Sequence, residues 1–148
     1  MKVRIKKLNE NAVVPFKTYE KDFCYDVVAT SEEEVVPNVW KYGIGLAFQI
    51  ERGDLLLDNH NLSIDFRPRS SVWKTGMLLS NCQGTIDELY RGEVSAVFYH
   101  VMTNMERYHV GDRIGQIKIG VTLPIEFEEV DALSETERGI GSYGSTGK

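Results

Sequence analysis

Hydrophobic residues in this chain fall in short runs, and several of those runs alternate with polar residues. Residues 3–8 and 62–66 alternate with period two, which turns one face of each segment toward a core. Residues 25–29 are short and apolar after a charged turn, and residues 44–50 are a further strand candidate followed by the turn Arg52-Gly53-Asp54. Residues 94–102 are the longest candidate and are rich in β-branched and aromatic side chains. Residues 113–121 and 125–130 follow, split by Pro124. Strands this short and this regularly spaced predict an all-β barrel or sandwich. Helix signals are few; the best is a short turn at residues 70–74, where a serine can cap before Gly76 stops it. There is no internal repeat.

Length and composition narrow the picture. A chain of 148 residues, 42% hydrophobic and 26% charged, suits one domain with a real core. A net charge of −5 gives no global basic footprint, so no nucleic-acid polymer is expected as partner. No apolar run has the length of a membrane span, and the stretch Met1-Lys-Val-Arg-Ile-Lys-Lys7 lacks a signal-peptide core. Cys24 and Cys82 make neither a disulfide framework nor a paired metal spacing, which fits a reducing cytoplasm, or a host cytoplasm or nucleus if the source is viral. The acidic clusters at 32–34 and 126–131 read as solvated faces.

Candidate chemistry gathers in five stretches. Asn81-Cys-Gln-Gly-Thr-Ile-Asp-Glu-Leu-Tyr-Arg-Gly-Glu93 is framed by glycines and reads as a turn-rich hairpin. It sets the carboxylate of Asp87 three residues from the phenol of Tyr90. A carboxylate held there can orient and deprotonate a water; the alternative is an ordinary surface turn. Arg67-Pro-Arg-Ser-Ser71 offers the Arg69 fork and the Ser70 and Ser71 hydroxyls to an anion, or else a surface arginine and a helix cap. Gly111-Asp-Arg-Ile-Gly-Gln116 is a turn entering a strand, and Asp26 on a short strand reads as structural when taken alone. Residues 138–148 include four glycines, with Tyr143 among them, and read either as a frayed end or as a mobile lid.

In this order the five stretches resemble the motifs of the trimeric dUTPase family. Cys24-Tyr-Asp-Val-Val-Ala29 is similar to its first motif and Pro68-Arg-Ser-Ser71 to its second. Gly84-Thr-Ile-Asp-Glu-Leu-Tyr-Arg-Gly92 is similar to the third, Gly111–Gln116 to the fourth, and the glycine-rich tail from Arg138 to the fifth. Cys24 stands where the family has glycine, Gly115 where it has alanine, and Tyr143 where it has phenylalanine; residues 53–61 are longer than the usual link.

The resemblance implies a jelly-roll-like distorted barrel over residues 1–137, and a tail over 138–148 that closes the active site. It implies Mg²⁺-dependent hydrolysis of dUTP to dUMP and pyrophosphate in a homotrimer with shared sites. Asp87 would activate the water, with Asp26 supporting the metal indirectly. Asn81, Gly84, Ile86 and Tyr90 would hold the nucleoside. Arg69, Ser70 and Ser71 would hold phosphates, Gln116 would bind substrate through its amide, and Arg113 would add a local cation; in the tail Tyr143 would stack on the uracil while Arg138, Ser145 and Thr146, with Gly144 between them, approach the phosphates. Two alternatives share this fold: a dCTP deaminase, which needs a glutamate acid/base in place of Asp87 and Tyr90, and a non-catalytic nucleotide-binding regulator.

Overall fold

The computed structural model describes residues 1–53 and 59–141. Its regular elements are ten strands and one short 3₁₀ helix. The strands are β1 (Lys2–Lys7), β2 (Tyr25–Val28), β3 (Ser31–Val36), β4 (Val39–Gly43), β5 (Leu46–Glu51), β6 (Asn61–Arg67), β7 (Met77–Leu79), β8 (Gly84–Asp87), β9 (Ser95–His100) and β10 (Arg113–Thr122). They form a β1-β5 ribbon and two four-stranded sheets, β2-β10-β6-β8 and β3-β4-β9-β7. All strand pairings among the described residues are antiparallel, and the sheets stay open rather than closing into a barrel.

The core follows from strand alternation. On β6, Leu62, Ile64 and Phe66 point inward, while Ser63, Asp65 and Arg67 point to the other face. Tyr42, Phe98 and Tyr108 interlock edge to face, with ring centroids 5.6–6.3 Å apart, and Phe66 packs against Phe98. Gly115 has a packing reason: a Cβ there would lie 2.1 Å from the ring of Phe66.

Several expectations need correction. The β3–β4 hairpin was not visible in the hydrophobic pattern, because Glu32–Glu34 reads as a polar face. Its signal was the Pro37-Asn38 turn, where Asn38 has φ 63°. Glu32 is not a freely solvated charge either. It pairs with Arg107 Nη2 at 3.0 Å, and Arg107 lies 3.5 Å above the Trp40 ring. The Arg107 hydrogen bond outweighs partial burial and holds the Glu32 carboxyl below its ordinary range. Residues 125–130 are exposed and belong to no strand among the described residues. The helix cap is Arg69, with no side-chain cap hydrogen bond from either serine. No helix among the described residues is long and apolar enough to cross a membrane.

Candidate active site

The first half of the site is built around Asp26, which is only 5% exposed. β2 and β10 pair Asp26 directly with Gln116, so their side chains share one face. Gln116 Nε2 donates to Asp26 Oδ1 at 2.9 Å, and Arg113 Nη1 donates to Oδ2 at 2.9 Å. Arg69 Nε stands 3.6 Å from Oδ1, an ion pair too long for a hydrogen bond. Two guanidiniums thus share one buried carboxylate, which satisfies the buried charge and leaves a net positive wall. That wall lines an open cleft of about 490 Å³ together with Thr18, Tyr19, Asp22 and Cys24, where the Asp22 carboxylate, accepting from Tyr19 N at 2.9 Å, balances the remaining positive charge. Pro68 leads Arg69 into an extended conformation (φ −73°, ψ 155°) at the start of the helix. The Ser70 and Ser71 hydroxyls next to it make no hydrogen bond among the described residues, so both remain available as donors.

The second half lies on β8. The segment between β7 and β9 is not the tight hairpin expected from sequence: β7 and β9 pair with each other, but β8 crosses to the other sheet and pairs with β6. Asp87 ends β8, exposed, and its carboxylate has no hydrogen bond or ion pair among the described residues. Its neighbour Glu88 is the opposite case. Arg52 grips both Glu88 oxygens, at 3.0 and 2.6 Å, and these bonds, outweighing partial burial, hold the carboxyl below its ordinary range. Tyr90 N donates to Asp87 O at 3.0 Å, and Tyr90 Oη donates to Glu93 O at 3.1 Å. The Tyr90 ring folds over Gly92, where a Cβ would lie 2.4 Å from the hydroxyl. Ile86 packs against the core, so only its backbone faces a ligand; Gly84 is likewise a backbone position, and Asn81 is exposed beside it. β8 is the outer strand of its sheet, so its outward N–H and C=O groups lack a strand partner among the described residues.

One chain does not bring the two halves together. Asp26 and Asp87 lie on the same sheet face but on its opposite edge strands, offset by the four residues from Arg67 to Ser63. Strand spacings of about 4.8 Å and a rise of about 3.3 Å per residue set them roughly 20 Å apart. Arg138 is in neither half: its Nε donates to Gly141 O at 3.0 Å in a local turn. Tyr143, Gly144, Ser145 and Thr146 lie outside the described residues, as does much of the long link at 53–61. Among the described residues no group of three His, Cys, Asp or Glu could hold a metal ion by itself.

The family model of dUTPase matches residues 10–147. The chain belongs to the dUTPase family. It is 36% identical to the deoxyuridine 5'-triphosphate nucleotidohydrolase of Nautilia profundicola over 150 aligned positions, covering 100% of both chains. It is 34% identical to the enzyme of the same name from Clostridium novyi, covering 99% of each. In fold it resembles a mutant dUTPase of Staphylococcus bacteriophage 80alpha solved with dUpNHpp, with TM-score 0.73, 20% identity and 99% coverage of each chain. It also resembles a mutant dUTPase of S. aureus phage phi11, described as coordinating a structural Mg(II) ion, with TM-score 0.64, 17% identity and coverage of 91% of this chain and 100% of that one.

In this dUTPase-family chain the structure brings Asp26, Arg69, Arg113 and Gln116 to one cleft and sets Asp87 on a separate strand end, and the motifs do not reveal how these side chains are held. Arg113 was legible as a cation and not as the clamp on Asp26. Ser63, Asp65 and Lys118, between the halves on the same sheet face, were missed: a single lysine and aspartate on alternating strands look like ordinary surface residues.

Proposed function

We propose that this chain hydrolyses dUTP to dUMP and pyrophosphate. The observation that carries the reading is the pairing of a cleft that gathers Arg69, Arg113 and Gln116 around Asp26 with a separate strand end that presents Asp87, unpartnered among the described residues. The water oxygen bonds to the α-phosphorus, the bond from that phosphorus to the bridging oxygen breaks, and pyrophosphate leaves. Asp87 orients the water and takes its proton. A carboxylate is a weak base, so most of the benefit comes from orientation. Arg69, Ser70, Ser71 and Gln116 hold the phosphates. The outward backbone groups of β8 near Gly84 and Ile86, with Asn81, read the uracil edge. Cytosine turns a donor where uracil has an acceptor and would leave those groups unpaired. Tyr90 lies under the deoxyribose and obstructs a 2′-hydroxyl.

Both Asp26 oxygens already accept protein hydrogen bonds. With the Arg69 and Arg113 guanidiniums beside these oxygens to repel a directly bound cation, Asp26 would support Mg²⁺ at one remove, through water, and the triphosphate would supply the direct ligands. Bound there, Mg²⁺ would neutralise phosphate charge and polarise the phosphoryl oxygens.

The site is completed in a homotrimer, with Asp87 of one subunit facing the Asp26 cleft of another. The separation of the halves supports this. So does the segment after β10, where Leu123, Ile125 and Phe127, separated by Pro124 and Glu126, are 66–90% exposed. An apolar groove of about 350 Å³ lined by Met1, Val3, Ile5, Phe48 and Ile117 offers a second copy's segment a place to bury them. Residues 138–148 act as the lid, with Arg138, Tyr143, Gly144, Ser145 and Thr146 over the nucleotide, and we place the protein in the cytoplasm. The test is incubation with dUTP, dCTP and UTP. Pyrophosphate released from dUTP supports the reading; ammonia from dCTP, or no turnover at all, overturns it.

A further inference from the structure

Only two charged side chains are buried among the described residues, Asp26 and Asp65. The first belongs to the cleft. Asp65 is 6% exposed and sits in the middle of β6, on the polar face between the two halves of the site. Lys118 Nζ donates to its Oδ2 at 2.8 Å, and Ser63 Oγ donates to its Oδ1 at 2.9 Å. Burial alone would raise the Asp65 carboxyl, but these two bonds and the Lys118 charge hold it below the ordinary range, so it stays ionised. The chain also makes room for the cluster. A Cβ on Gly120 would lie 2.4 Å from Ser63 Oγ and 2.9 Å from Asp65 Oδ2. A buried ion pair gives little net stability over an apolar pair of the same volume, so stability alone does not account for the cluster.

Register supplies that role. Ser63 is the direct ladder partner of Asp87, and both side chains are on the outer face. Directly opposed side chains stand about 5 Å apart at Cβ. A serine hydroxyl has one proton to give. Here it goes to Asp65, so Ser63 can offer Asp87 only lone pairs.

We infer that Asp65, fixed by Lys118, keeps the Ser63 proton turned away from Asp87 and so leaves the Asp87 carboxylate free for the reacting water. Asp65, Lys118 and Ser63 are positioning residues in this scheme. The inference rests on the dUTP reading above.

Asp65→Asn is the sharpest test because it keeps shape. Lys118 has only donors, so it draws the amide oxygen toward itself and turns the amide NH₂ toward Ser63. Ser63 then accepts from residue 65, and its proton goes to Asp87. The expected result is a kcat about tenfold lower, the scale of one hydrogen bond to a charged group, with KM for dUTP unchanged. Ser63→Ala added to Asp65→Asn removes the misdirected donor and should restore most of kcat. A merely structural Asp65 would give no such rescue. If Asp65→Asn does not fold, the pair Asp65→Leu with Lys118→Met removes both charges together, and the same Ser63→Ala rescue is sought there. Full kcat in folded Asp65→Asn, or a loss that Ser63→Ala does not reverse, overturns the inference while leaving the dUTP reading intact. An unaltered chain that does not turn over dUTP overturns both.

Discussion

Asp26 on β2 and Asp87 on β8 sit at opposite edges of one sheet, on the same polar face, in contrasting surroundings. Asp26 is buried and held by Gln116 and two arginines. Asp87 is exposed and has no partner among the described residues. The contrast matches two kinds of work. A carboxylate that fixes cations must be saturated, because its purpose is to hold their donors in one geometry. A carboxylate that handles a water must keep lone pairs free. Residue type alone does not separate these roles; the neighbours do.

Removing the free carboxylate should have the largest effect. Asp87→Asn keeps the shape and loses the base, and turnover should fall roughly a hundredfold or more, with nucleotide binding largely kept. Single-turnover assays beside a dUTP-analogue titration would check this. Near-full turnover would mean that Asp87 only occupies space.

On the held side, Arg69→Ala removes a phosphate donor and one of the two cations on Asp26. A fall of roughly tenfold or more in kcat/KM is expected, most of it in KM. Mixing then sharpens the comparison. Asp87→Asn and Arg69→Ala subunits, reassembled together in equal amounts, should regain activity at about a quarter of the sites, since each site would draw its halves from different subunits. A mixture no more active than its components would place both halves in one chain.

Tyr90 is intermediate, a side chain on the free half that is itself fixed by its turn. Tyr90→Ala should lower the preference for dUTP over UTP by about tenfold, read as the ratio of kcat/KM values. An unchanged ratio would remove Tyr90 from sugar selection.

What was legible from sequence divides along the same line. Asp87, Tyr90, Arg69 and Gln116 stood out because glycine, proline and serine mark their turns, and turn chemistry is local. Strand number was partly legible: β1, β2, β5, β6, β9 and β10 showed as runs, while β3 and β4 were hidden by Glu32–Glu34 and needed the Pro37-Asn38 turn to be seen. Pairing was not legible. Nothing in the order of residues says that β8 leaves its flanking strands to join β6, yet that crossing sets Asp87 opposite Ser63 and far from Asp26. Nor does alternation say that Asp65 is buried on the polar face and paired with Lys118.

The smallest effect concerns the residue next to Asp87. Glu88 is held by Arg52 in two bonds, so consecutive carboxylates on one strand end are one held and one free. The folded-state value of Glu88 is depressed below 4.5, chiefly by those bonds. A depressed carboxylate stabilises the fold above its unfolded value and loses that contribution as pH falls through its folded value. Both partners are partly exposed, so the pair is worth about 0.5–1 kcal/mol. Glu88→Gln should therefore lower stability by that amount at pH 7, and the gap to the unaltered chain should close as pH is taken below about 4.5. Urea unfolding at stepped pH would measure it. A gap of constant size down to pH 3 would mean that packing or the amide's own hydrogen bonds, and not the charge, anchor this end of β8.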